Sequence, residues 1–184
     1  MIEYKNEIIE TLHKFQTGYR ERNTDNIDRF ATNMFYDSQD TIVIGTGHGE
    51  WCKGINEIKE LLYIDWHYWG NFRLDIDSAN ICCTKDFATV TTTAYLQKAY
   101  DKEKNSSNTL SKIDKILKSD SQSDEKLFKS LKSIAYHFHE ENVGSEVRRK
   151  IRFSAVLVPE GCKWKFLNIH FSYPASPPTD VKLI

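Results

Sequence analysis

Lys163-Trp164-Lys165-Phe166-Leu167-Asn168-Ile169-His170-Phe171-Ser172-Tyr173 carries large side chains in both registers of an alternating pattern. Its period of two predicts a strand. Trp164, Phe166, Asn168, His170 and Ser172 fall on one face, and Lys165, Leu167, Ile169, Phe171 and Tyr173 on the other. Neither face is plainly polar. The first combines aromatic area with an amide, an imidazole and a hydroxyl, the mixture a cavity wall requires. The second is apolar enough to need a cover, from helices or from another subunit.

Working outward, Arg148 to Val158 reads as the partner strand, with Pro159-Glu160-Gly161 as the turn and Cys162 to Tyr173 as the return. An earlier hairpin runs from Phe72 to Cys83, turns at Thr84-Lys85-Asp86 and returns through the Thr-, Val- and Tyr-rich Phe87 to Gln97. Ahead of it, Ile8, Ile9, Leu12, Phe15 and Tyr19 recur at helical spacing. Thr24 or Asp25 then starts a second helix through Ile27, Phe30 and Met34. Thr41 to Gly45 is a short β-branched strand, followed by glycine punctuation. From Gly54 a third helix carries Ile55, Ile58, Leu61, Leu62, Asp65, Trp66 and Trp69 and stops at Gly70-Asn71. The reading is one α+β domain over 1–178 with a tail at 179–184. Between the hairpins lies a Lys-, Ser- and acid-rich helical insertion at about 98–146, with a flexible joint near Ser119 to Asp124.

With 184 residues, 40% of them hydrophobic, the chain can bury one real core. A formal net charge of -1 gives no electrostatic case for nucleic acid or an anionic membrane as partner. No apolar run approaches a membrane span, and Met1 to Glu7 lacks the pattern of a signal peptide, so the expectation is a cytoplasmic protein. Cys52, Cys82, Cys83 and Cys162 fit no zinc spacing and read as free thiols. His137 and His139 diverge if helical, and His48 and His67 stand alone. No metal and no cofactor is expected. There is no P-loop, nucleophile elbow or dinucleotide fingerprint, because Gly45, Gly47 and Gly49 have the wrong spacing.

Three stretches carry a family likeness: Gly45-Thr46-Gly47-His48-Gly49-Glu50-Trp51 with Gly54, Arg152 to Val158, and Trp164 to Ser172. The chain resembles the nuclear-transport-factor-2-like superfamily, in its SnoaL-like branch. The last stretch looks like that family's Trp-x-Ile-x-x-x-His-x-Ser ending, which also occurs in kinase association domains. The resemblance implies a cone of curved antiparallel sheet around three N-terminal helices. It implies no single activity, since the family holds isomerases, dehydratases, cyclases, binding proteins and oligomerisation modules. The tyrosine, the general-base aspartate and the protonated aspartate that the resemblance to a ketosteroid isomerase implies would fall at about Thr17, with Tyr19 nearby, Gly45 and Ile151, and none of the three is found.

The candidate acid–base residues are His170, Asp65 and Glu50. The plainer readings are a packed histidine, a solvated helix position and a turn cap. Arg152, with Ser154, Val156 and Val158 on its face, would be costly inside a cone unless it met an anion; Asp75, Asp77 or Glu146 could also pair with it. Asn168, Tyr19, Trp51, Trp66, Phe30 and Ser154 complete the expected ligand wall, although aromatics at helical spacing are commonly plain core. The sequence therefore predicts a protein that binds a small molecule and forms a homodimer through Leu167, Ile169, Phe171, Phe153, Ala155 and Leu157. Two alternatives stand beside it. One is an isomerase-, dehydratase- or cyclase-type enzyme using His170. The other is an association module with the insertion as its docking arm.

Overall fold

In the computed structural model the described residues are 2–47, 49–99, 102–141 and 146–173. They divide into two compact units, Met1–Leu96 with Arg149–Ile184, and Gln97–Arg148. The Pro174 to Pro178 closure, the tail at 179–184 and His48 lie outside the described residues.

In the first unit, α1 (Ile2–Glu21) buries Ile8, Leu12, Phe15 and Tyr19 along one stripe, as its spacing requires. Arg22 closes it in the left-handed conformation, φ 50°, its N–H donating to the Gly18 carbonyl at 2.9 Å and its Nε to the Tyr19 carbonyl at 3.1 Å. The turn that carries Tyr19 is thereby fixed. A 3-10 turn at Thr24–Asn26 leads into α2 (Ile27–Met34), which buries Ile27, Ala31 and Met34. Strands β1 (Ile42–Ile44) and β2 (Trp51–Lys53) form a small hairpin. Helix α3 (Gly54–Tyr68) follows directly, its first turn tied by the Glu57 carboxylate accepting the Lys53 N–H at 2.8 Å. Then come β3 (Asn71–Leu74), β4 (Asn80–Cys83) and β5 (Ala88–Ala99), and, after the second unit, β6 (Glu146–Glu160) and β7 (Lys163–Ser172).

Among the described residues the strands make one open sheet of seven in the order β2-β1-β7-β6-β5-β3, with β4 also on β5. β1 runs parallel to β7, and β6 pairs antiparallel with it. Helices α1 and α2 pack on β7, and α3 on β1 and β2. β2 was not foreseen. The long strand expected from Phe72 to Cys83 is two strands, because the chain turns between them, the Ala79 N–H donating to the Ile76 carbonyl at 3.1 Å.

The alternating stretch needs a correction. Val156 pairs with Asn168 while Leu157 pairs with Phe166, so Leu167 is an extra residue, a β-bulge. A bulge shifts the period by one. Trp164 and Phe166 face the core before it; Ile169 and Phe171 face the core after it. Asn168, His170 and Ser172 therefore lie on the opposite face from Trp164 and Phe166, not beside them. β6 alternates without a break, burying Ile151, Phe153, Ala155 and Leu157. The residues expected to form an apolar outer dimer face are consequently core, apart from the half-buried Leu167.

Phe15 sits at the centre of that core, its ring 4.9 Å from Tyr19, 5.0 Å from Phe166 and 6.0 Å from Phe72. Phe171 packs against Trp69 at 5.2 Å and Phe153 at 5.4 Å. The second unit consists of α4 (Lys102–Lys118) and α5 (Ser123–Glu141), which pack against each other across a four-residue joint, 119–122. Among the described residues no helix is long and apolar enough to cross a membrane.

Candidate functional site

The buried stripe of α3 is Ile58, Leu61, Leu62, Asp65 and Trp66. A carboxyl thus occupies a position the helical period assigns to the core. Asp65 is 1% exposed, so it is not the solvated helix position that was its plainer reading. The Tyr19 hydroxyl, from the last turn of α1, donates to Asp65 Oδ2 at 2.8 Å. Asp65 Oδ1 is buried with no hydrogen-bond partner among the described residues.

Burial pushes the Asp65 carboxyl up to about 8, the Tyr19 hydrogen bond opposes this, and the nearby charge of Glu50 adds to it. Asp65 also lies in the last turn of α3, where the helix dipole disfavours an anion. At neutral pH the group is mainly the neutral acid. Tyr19 engages Oδ2, so Oδ1 is the carboxyl oxygen left without a hydrogen-bond partner among the described residues. The Tyr19 hydroxyl is itself held well above its ordinary value, first by burial and then by Asp65.

Glu50 is half-buried in the β1–β2 loop, where its carboxylate accepts the Gly47 N–H at 2.7 Å. A Cβ on Gly45 would lie 2.0 Å from Glu50 Oε2, so the glycine makes room for this fold-back. Glu50 holds the loop and acts on Asp65 and Tyr19 through its charge. Burial, followed by the Glu50 charge, raises the neighbouring Cys52 thiol to about 11, which leaves no thiolate at neutral pH. Trp66, beside Asp65 in sequence, is buried with its Nε1 unpartnered among the described residues. Its ring packs on Phe30 at 5.1 Å and Tyr19 at 6.3 Å. The Phe30 ring closes on Gly18, where a Cβ would be 2.0 Å from its Cε2. Gly18, Phe30, Met34 and Trp66 floor a groove of about 380 Å³ between α1 and α2.

Tyr19, Asp65, Trp66 and Phe30 are thus brought together, with Glu50 in electrostatic range. The remaining candidates are elsewhere. Arg152, Ser154 and His170 meet on the opposite face of the sheet, in an open concavity of about 520 Å³ with Ser78, Thr91, Thr92, Thr93 and Ser172. Ser154 stands directly opposite His170 across the β6–β7 pair, and Arg152 opposite Ser172. Arg152 and His170 are exposed, and among the described residues no carboxylate pairs with Arg152. The cost of a cation inside the core never arises, since the bulge and the alternation of β6 turn these side chains outward. Asn168 shares that face, opposite Val156 and Ile42. Trp51 is 60% exposed on the edge strand β2 and lines neither concavity.

The hydroxyl row of β5 was missed as part of a site. Its signal was the Thr89-x-Thr91-x-Thr93 alternation. Among the described residues no group of three or more His, Cys, Asp and Glu could hold a metal ion.

No protein-family model matches the chain, and no curated protein matches it in sequence. Solved structures do match. A nuclear-transport-factor-2-like superfamily protein from Salmonella enterica superposes with a TM-score of 0.59 at 14% identity, over 96% of this chain and 94% of that one. A nuclear-transport-factor-2-like protein of unknown function from Pseudomonas putida gives 0.59 at 11% identity, over 100% and 95%. A ketosteroid isomerase-like protein from Erwinia carotovora gives 0.55 at 9% identity, over 96% and 100%. At such identities the likeness is one of fold: the chain has the nuclear-transport-factor-2-like α+β fold.

Proposed function

We propose that, on this fold, the helix-covered face of the sheet binds a small, partly apolar molecule carrying a carbonyl or hydroxyl oxygen. Asp65, held by Tyr19, donates a hydrogen bond or a proton to that oxygen. The observation that carries the reading is the buried, unpartnered Asp65 Oδ1, on a carboxyl that stays protonated to about pH 8. A core carboxyl with one idle oxygen costs stability, and a donor in an aromatic setting gives that cost a use. The groove floored by Gly18, Phe30 and Trp66 is the approach we assign to the ligand. The resemblance to an isomerase-like protein supports acid–base chemistry, but the donor here is the Tyr19–Asp65 pair. His170, exposed on the other face, is a poor candidate for it.

The test is a tryptophan-fluorescence titration with 2-acetylnaphthalene, an aromatic ketone that does not itself titrate. Binding is expected at pH 6 and at least tenfold weaker at pH 9.5, where Asp65 is ionised. Asp65→Asn, which keeps a donor, should bind at both pH values; Asp65→Leu should not bind. Equal binding by Asp65→Leu and the unaltered protein would overturn the reading.

A further inference from the structure

The helical hairpin of the second unit is apolar on the wrong side. The seam between its helices is made from Ser106, Thr109, Ile113 and Ile116 of α4 and Lys126, Ser130, Ser133 and His137 of α5, the partly or fully buried positions. Thr109 Oγ1 and His137 Nδ1 meet across it at 3.4 Å, and Ser130 Oγ is buried there without a partner. Apart from Ile113 and Ile116, six large apolar side chains of the hairpin lie outside it. Leu110, Leu117, Leu127, Phe128, Leu131 and Ile134 are between 39% and 68% exposed.

Five of these side chains, all but Phe128, form one surface. At about 100° per residue, Leu110 and Leu117 lie roughly 70° around α4 from its seam, and Leu127, Leu131 and Ile134 roughly 100° around α5 from its own, in the same rotational sense. The short joint makes the helices antiparallel, so equal-handed rotations carry both stripes to the same side of the hairpin; Phe128, about 190° from the α5 seam, lies on the outer flank of that helix.

We propose that this face is a self-association surface on which two copies of the chain pair their hairpins about a two-fold axis as a four-helix bundle. Three observations select a second copy as the occupant. At roughly 100 Å² each, the five side chains of the two stripes supply about 500 Å² per hairpin, which doubled reaches the ~1,000 Å² a specific interface needs. Over residues 102–141 there are eight lysines against seven acidic residues. That balance offers no field to nucleic acid or an anionic membrane and suits a self-complementary contact. A flat, two-helix apolar face is also what an isologous four-helix core is made from. This surface takes the place of the sheet face, whose expected apolar residues are core.

The experiment is sedimentation velocity of the full chain across 1–100 µM, roughly the range in which such interfaces are half-occupied, with Leu127→Glu/Leu131→Glu beside it. Both replaced residues are exposed, so folding is not at stake. A wild-type dimer whose dissociation constant rises at least a hundredfold in the double variant supports the proposal. Hydrogen exchange should report α4–α5 amides protected in the dimer and released in the variant, with the first unit unchanged. A monomer at 100 µM, or a dimer the double variant leaves intact, would overturn it. So would docking of the hairpin on its own first unit, read as concentration-independent protection of α5.

Discussion

The two faces of the β6–β7 pair carry opposite chemistry within one residue of each other. Phe153, Ile169 and Phe171 look into an aromatic core that also encloses Asp65. Arg152, Ser154 and His170 look out into an open, hydroxyl-lined hollow. Both faces hold titratable groups, and on the covered face burial raises the Asp65 carboxyl to about 8. The lesson is that residue type proposes chemistry and environment decides it. An aspartate in an apolar core becomes a neutral acid at neutral pH.

The largest effect comes from exchanging the two faces at one step of β7. Ile169→His/His170→Ile keeps the composition and the bulge but puts an imidazole into a core position and an isoleucine into the outer hollow. A buried aliphatic side chain lost and a polar ring buried in its place together approach the whole stability of an ordinary domain. The expected outcome is a first unit without cooperative thermal unfolding, read by near-ultraviolet circular dichroism. A double variant that melts normally would mean that β7 re-registers at little cost.

The next effect concerns Asp65 and runs with pH. Its folded value, about 8, is above the ordinary 3.8. The native state therefore holds a proton that the unfolded chain has already released over that interval. Stability is full below about pH 4, falls as pH rises toward 8, and is flat above that, because an ionised carboxylate is then buried in either case. The fall is on the order of 6 kcal/mol. Asp65→Asn keeps an acceptor for the Tyr19 hydroxyl but has no proton to lose. It should match the unaltered protein at pH 4 and exceed its stability at pH 9, as measured by urea denaturation across pH. Parallel pH profiles would show that Asp65 is not the neutral acid described.

Much of this arrangement could be read in the sequence, and the part that could not has a definite cause. The stripe of α1 names Ile8, Leu12, Phe15 and Tyr19 outright. The stripe of α3 places Asp65 three residues after Leu62 and four after Leu61, inside the apolar set. The same spacing that made it a candidate also contradicted a solvated position. What single-strand periodicity could not supply was the phase of β7. Its core residues, Trp164, Phe166, Ile169 and Phe171, leave a gap of three in a pattern of two. Only pairing it with β6, whose core residues keep a gap of two throughout, makes the extra residue visible. Register is a property of two strands, and one strand read alone assigns each half of itself to a different face. The Tyr19–Asp65 contact spans 46 positions and had no local signal at all.

The smallest effects give the sharpest contrast, because they compare neighbours. Phe171→Ala removes a ring that touches Trp69, Phe72 and Phe153. It should cost about 3–5 kcal/mol, the range for emptying an aromatic site that cannot collapse. His170→Ala, one residue earlier, removes an exposed ring and should change stability by less than about 0.5 kcal/mol. It should also leave ketone binding and its pH dependence untouched, since the Tyr19–Asp65 pair lies on the other side of the sheet. Denaturant melts of the two variants with one titration of His170→Ala decide the point. If His170→Ala abolished binding, the outer hollow would be the site and the buried pair a structural residue of the core. If both variants melted alike, the bulge would not be separating inside from outside in solution. The comparison is useful because it needs no knowledge of the ligand: adjacent residues on one strand should differ by several kcal/mol for no reason other than the face the bulge gives them.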